Sequence, residues 1–188
     1  KTILATISLL VIGGLIYGIA LGPASQNSSD PKDVTIPSSW TEYSAPNMFT
    51  AYFPTKPTHK TEQVNISGLA LQYDTYTGAS REGPIYSIKA ITYKTNADFA
   101  NPENILQNVI NQTIRENDKN KMISSNFAKF GKYAASDFEI VRNETTSIKG
   151  KTILVEQKVY VITVSADLKE EDDINFDAFA YSFKPSLN

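Results

Sequence analysis

The sequence predicts an α+β fold: an antiparallel sheet covered by helices on both faces, preceded by one transmembrane helix. Three observations carry that expectation: an uncharged run from Ile3 to Gly22, a series of short segments rich in β-branched and aromatic residues, and one well-capped amphipathic stretch beginning near Pro102. With 188 residues, 41% of them hydrophobic, the chain can bury a core in one ordinary domain and leaves no room for a second. The expected division is a membrane helix at 1–22, a flexible linker at 23–39 and an α+β domain at 40–188.

The first element rests on length. Between Ile3 and Gly22 there is no charged residue, and Thr6 and Ser8 can bond back to helix carbonyls. At about 1.5 Å per residue the run reaches roughly 30 Å, the thickness of a bilayer core. A cleaved signal peptide is the alternative, but its apolar region is usually about 7–15 residues long. Gly22-Pro23-Ala24 before Ser25 is a passable cleavage site, and the chain starts at Lys1 rather than Met. Gly14, Gly18 and Gly22 recur every four residues and so lie along one side of the helix, the small-residue spacing by which helices approach closely in lipid. They are the expected helix-packing residues, toward a copy of the chain or another membrane protein; Gly22 also reads as a helix cap before Pro23. Lys1 on the short side, against a linker carrying Lys32 with Asp30 and Asp33, puts the N-terminus in the cytoplasm and the domain outside it. Ala24–Ser39 is polar, without apolar periodicity, and reads as a tether.

Within the domain, Met48–Phe53 is an aromatic-rich strand ended by Pro54 and Pro57, which are poor members of a central ladder. Leu69–Thr77 alternates as a half-buried strand does, and Ile85–Tyr93 follows the turn Arg81-Glu82-Gly83-Pro84. These three runs are expected to form an antiparallel meander. Asn101-Pro102-Glu103 opens a helix with a capping side chain, a proline and an acid in its first turn. Ile105, Leu106, Val109, Ile110, Thr113 and Ile114 give it one apolar stripe, running to about Asn117. Strands are expected again at Met122–Phe130, at Tyr133–Val141 after Gly131, and at Thr152–Ser165 after a turn at Lys149-Gly150-Lys151. Val159–Val164 is apolar on both faces, which requires a central strand covered on each side. A second helix from about Ile174 to Ser182, with Phe176, Phe179 and Phe183 on one side, is expected to cover the face opposite residues 102–117.

The order of these elements, the Phe49-x-x-x-Phe53-Pro54-x-x-Pro57 entry, the Gly150-Lys151 turn leading into Val159-Tyr160, and the closing Phe176-x-x-Phe179-x-x-Ser182-Phe183 resemble the PsbP-like family over Trp40–Phe183. All of these are packing and turn residues, so the resemblance bears on fold more than on function. It implies an α/β/α sandwich and an accessory role docked to a membrane complex. The family's extrinsic photosystem II member has no retained membrane helix, a departure from the anchor read here, and none of its metal or chloride sites maps onto this chain.

The residue types present exclude several kinds of chemistry. Lysine and arginine number 18 against 20 acids, and a net charge of −2 without a basic stripe excludes a nucleic-acid surface. The absence of cysteine removes disulfides, thiolate metal sites, haem attachment and cysteine nucleophiles. His59, the only histidine, stands between Pro57 and Lys60 and reads as a solvated loop residue; one histidine builds neither a triad nor a multi-histidine metal site. No Gly-x-Ser-x-Gly elbow and no phosphate loop occurs, so no catalytic residue, cofactor or metal is expected. The acidic run Asp167, Glu170, Glu171, Asp172, Asp173 lacks EF-hand spacing and reads as a solvated loop whose last acids favour the start of the following helix. Asn27, Asn65, Asn111 and Asn143 begin Asn-x-Ser/Thr triplets, which matter only in a glycosylating host.

The expected function is a non-catalytic accessory subunit of a larger membrane protein complex. Other membrane-protein subunits would contact both its helix and its soluble domain. The alternative is a membrane-tethered, extracytoplasmic ligand- or peptide-binding module acting on its own, which a hydrophobic pocket between sheet and helix with a few convergent polar groups would favour.

Overall fold

A computed structural model of the chain describes residues 34–66, 69–79, 83–93, 99–169 and 174–187. The expected membrane helix at 1–22, with Gly14, Gly18 and Gly22, lies outside the described residues, as does most of the linker. Among the described residues no helix is long and apolar enough to cross a membrane.

In chain order the described elements are β1 (Thr41–Ala45), β2 (Phe49–Phe53), β3 (Thr58–Ile66), β4 (Leu69–Ala79), β5 (Ile85–Tyr93), α1 (Pro102–Arg115), β6 (Asn120–Phe130), β7 (Tyr133–Arg142), β8 (Thr146–Val155), β9 (Lys158–Asp167), α2 (Phe176–Ser182) and β10 (Lys184–Pro185). Seven strands form one antiparallel sheet of order β3-β4-β5-β9-β8-β7-β6, and β1-β2-β10 form a small second sheet. The two-faced apolar run falls on β9, the middle strand of the seven, where Val159, Tyr160, Val161, Ile162 and Val164 are all buried.

Each face of the large sheet has its own core. On one, α1 packs over β6, β7 and β8, burying Leu106, Val109 and Ile110 against Phe138, Ile140, Ile148 and Val161. Its start is local chemistry: Asn101 Oδ1 accepts from the Asn104 amide at 3.1 Å, and Pro102 occupies the first turn, where no amide partner is needed. On the other face, β2 and α2 cover Tyr76, Tyr86, Ile88, Tyr160 and Ile162, with Phe49, Phe53, Phe179 and Phe183 interleaved. Their rings meet edge to face: Phe49 to Tyr76 at 5.0 Å, Phe53 to Phe179 at 5.0 Å, and Trp40 to Tyr86 at 5.0 Å.

This arrangement corrects the expected α/β/α sandwich. Among the described residues the chain is mostly β-sheet, in two antiparallel sheets with only two short helices, and the layer opposite α1 is largely the small sheet. The physical reason lies in β2, whose apolar residues Phe49, Ala51 and Phe53 are buried at alternate positions. That period lays a strand, not a helix, on the large sheet, and α2 with its seven residues fills only the remainder. The expected meander is corrected in the same way. β2 pairs with β1 and β10, while the meander is β3-β4-β5. The polar stretch after Pro57 is itself a strand at the sheet edge. The expected turn at Lys149-Gly150-Lys151 is a third correction, since β8 runs straight through it and the chain reverses at Glu156-Gln157, with Glu156 at φ 53°. Gly150 is needed there because the Phe138 ring from β7 lies over it, and a Cβ would overlap that ring.

Candidate functional site

The face of the large sheet under α2 carries an ionised group removed from water at each of its ends. At the β7–β8 end, the register sets Asp137 opposite Lys151 and Glu139 opposite Lys149. Lys151 continues the side of β8 that bears Ile153 and Val155, and it is only 3% exposed. Its ammonium lies 2.5 Å from Asp137 Oδ1 and 5.6 Å from the centre of the Tyr181 ring on α2. Asp137 is half-exposed, so this cation is neutralised by a partner that still faces solvent. The attraction offsets the desolvation of Lys151 only while both members are present.

These residues lie on a cleft of about 350 Å³ between the sheet and α2, lined by Ser124, Asp137, Glu139, Lys149, Phe176 and Tyr181. A second hollow of about 450 Å³ shares Lys149, Phe176 and Asp177 with it and reaches Val34 and Thr35. The two therefore border one another along α2. Carboxylates and ammonium groups alternate along this cleft beside two aromatic rings, an arrangement suited to holding polar groups by hydrogen bonds and ring contacts.

At the β3–β4 end, Asp74 is 2% exposed and fully partnered. Oδ1 accepts from Thr61 Oγ1 at 2.5 Å and lies 3.0 Å from His59 Nε2; Oδ2 accepts from Gln72 Nε2 at 2.8 Å. Since a carboxylate only accepts, the 3.0 Å contact requires Nε2 to carry a proton. Burial on its own would push the Asp74 carboxyl up, but the hydrogen bonds from Thr61, Gln72 and His59 outweigh it and hold the group below the ordinary aspartate range. The Tyr76 phenol is pushed up to about 12, first by burial and then by the Asp74 charge. The His59 ring stacks on Tyr76 at 4.3 Å with an interplanar angle of 2°.

His59 is therefore not a loop residue, which corrects the sequence reading. It lies on β3 opposite Tyr76, and Thr61 lies opposite Asp74. The alternation of His59, Thr61 and Gln63 against Tyr76, Asp74 and Gln72 was the available signal, but without apolar members it does not register as a strand.

The remaining residues singled out in the sequence fall elsewhere. Glu170–Asp173 lie outside the described residues, and Asp167 Oδ1 accepts from the Lys169 amide at 2.9 Å. Asn65 is exposed on β3, Asn143 is exposed in the β7–β8 turn, Asn111 Oδ1 accepts from Gln107 on α1, and Asn27 lies outside the described residues. Among the described residues no three His, Asp or Glu side chains converge as a metal site.

No family model and no curated protein sequence matches the chain. Among solved structures, the chain is similar to cyanobacterial PsbP (CyanoP) from Synechocystis, with a TM-score of 0.52 at 12% identity over 88% of this chain and 98% of that one. The fold is PsbP-like. At this identity the likeness concerns the path of the chain and not the side chains of either polar site.

Proposed function

We propose that the chain is a non-catalytic accessory subunit of a larger membrane protein complex. The apolar stretch Ile3–Gly22 holds it at the membrane, and the domain lies outside the cytoplasm, where it docks on or stabilises the complex. The observation that supports this reading is the PsbP-like fold, shared with CyanoP over nearly all of that protein. The family resemblance in the sequence implies the same kind of role. The tethered module that binds a small ligand or peptide stays the second reading, because the cleft between sheet and α2 is lined largely by charged residues and is not the hydrophobic pocket that reading calls for.

Membranes from the native host, extracted in a mild detergent and run on a native gel, separate the two. The first reading expects the chain in a band well above its own 20.8 kDa, in fixed ratio with a different protein. It also expects Gly14→Ile with Gly18→Ile to reduce that band, while Leu10→Ile with Leu15→Ile does not, because only the former put branched side chains where helix backbones meet. A chain that migrates alone in every preparation contradicts this reading and leaves the tethered module.

A further inference from the structure

β3 and β6 close the large sheet at its two ends, and an open strand edge offers unpaired amides and carbonyls to any other chain. β3 is protected in the usual manner. His59, Lys60, Thr61, Glu62 and Gln63 are exposed along it, and Lys60 pairs with Glu62 at 2.7 Å, so both signs of charge sit on the strand. β6 is different. From Met122 to Ala128 it carries no charge, and it has no acid anywhere along its length. Ile123 is 58% exposed and Phe127 36%, and a register shift between Met122 and Ser124 leaves Ile123 out of the ladder with β7. Lys121 and Lys129 bracket this uncharged middle, with Lys119 and Lys132 just beyond, all of them exposed.

We propose that the outer edge of β6 is where the docking partner adds a strand: an extended segment of another protein subunit, with acidic residues facing Lys121 and Lys129 and apolar residues meeting Ile123 and Phe127. This rests on the accessory role proposed above and names the chemistry of its partner. In strand addition, main-chain hydrogen bonds supply affinity and alternate side chains supply specificity. Here the charge pattern selects the occupant. A second copy of the chain is disfavoured, because pairing two β6 edges brings lysines together on strands that carry no acid to offset them. An acidic segment reverses the sign of both contacts. Lys121 already pairs with Glu144 at 3.1 Å, but both side chains are exposed and such a pair contributes little, so it exchanges readily for a partner's carboxylate. Because Ile123 is bulged out, Lys121 and Lys129 stand opposite Val141 and Ala134 of β7, which places the acids of an added strand about seven residues from each other and on opposite faces of the sheet.

The test uses the full chain in its native membranes, with association read as the fraction co-migrating in the high-mass complex after mild extraction. Lys121→Glu with Lys129→Glu should lower that fraction on the order of ten-fold, through like-charge contacts at the docking edge. Ile123→Lys with Phe127→Lys should also lower it, because charge then enters the uncharged middle. Lys56→Glu with Lys60→Glu, the same charge change near the opposite edge, should leave it unchanged. The urea midpoint of each purified variant reports folding. The reversals at the exposed Lys121 and Lys129 keep the test decisive if the Ile123 and Phe127 variant does not fold. Stronger membrane association of Ile123→Lys with Phe127→Lys would mean that β6 is a basic patch on anionic lipid and would overturn the proposal, as would a complex containing only two copies of this chain. Unchanged co-migration of both β6 variants overturns the proposal while the accessory role stands. A wild-type chain that migrates alone overturns the accessory role and this proposal with it.

Discussion

At the β3–β4 end of the large sheet a carboxylate is removed from water, and its two oxygens receive hydrogen bonds from three neighbouring side chains on the same hairpin. At the β6–β8 end an ammonium is removed from water with one half-exposed carboxylate and one ring as its company, beside a cleft and an edge strand with exposed Ile123 and Phe127. The first end is chemically closed: its polar groups are used up, and its edge is guarded by charges of both signs. The second end retains capacity in Asp137, in the cleft and in the β6 edge. Buried charge is satisfied within one hairpin at the first end, and at the second it depends on a single partner that still faces water.

That contrast breaks most readily at Lys151. Asp137→Ala leaves a buried ammonium without its counterion and should lower unfolding free energy by about 3 kcal/mol, the lower part of the range for broken buried pairs because Asp137 is half-exposed. Adding Lys151→Met should restore most of the loss, since the isostere needs no partner. Urea unfolding of both variants decides it, and equal destabilisation of single and double variants would mean that the Lys151 charge is solvated. Gly150→Ala sharpens the packing of the same end. With the Phe138 ring over Gly150, overpacking should cost about 2 kcal/mol by the same measurement, and Phe138→Leu added to it should reduce that cost.

At the closed end the expected effect is smaller and depends on pH. Asp74 has a depressed pKa in the fold, so its contribution is fully present above the ordinary aspartate value and is lost as pH falls through that value toward the folded one. Wild-type stability should therefore drop below about pH 4, and Asp74→Asn should flatten that part of the profile while costing about 1–2 kcal/mol at neutral pH. Thermal melts from pH 7 to pH 2 measure both, and identical slopes for the two proteins would contradict the assignment. The smallest effect belongs to the N-terminal apolar stretch. Neither described core draws on a residue before Trp40, so deleting residues 1–23 should leave the urea midpoint of the domain unchanged.

What the sequence made legible follows from how local each signal is. α1 was readable because its cap, its proline and its apolar stripe lie within one short stretch, and β9 because a run apolar on both faces can only be central. β3 was hidden because an edge strand with most side chains in water has no apolar alternation to detect. Gly150 was misread because its reason lies across the ladder, in Phe138 on another strand. The small sheet was missed because β10 is two residues long and β1 is mostly exposed, so that β2 finds its neighbours only in the folded chain. Both polar sites depend on register in the same manner. Asp74 meets His59, and Lys151 meets Asp137, only after the strands are aligned, so residue type and spacing alone did not reveal them.

If β6 is the docking edge, the two outer strands of the large sheet differ in what lies against them. A photoreactive residue placed at Phe127 of the full chain, and in a second protein at Gln63 on β3, compares the two edges in native membranes under one irradiation. The expected result is a covalent adduct from position 127 to a single different protein, at a site rich in acidic residues, with no adduct from position 63. Adducts from position 63 instead, from both edges alike, or only to a second copy of the same chain would contradict it.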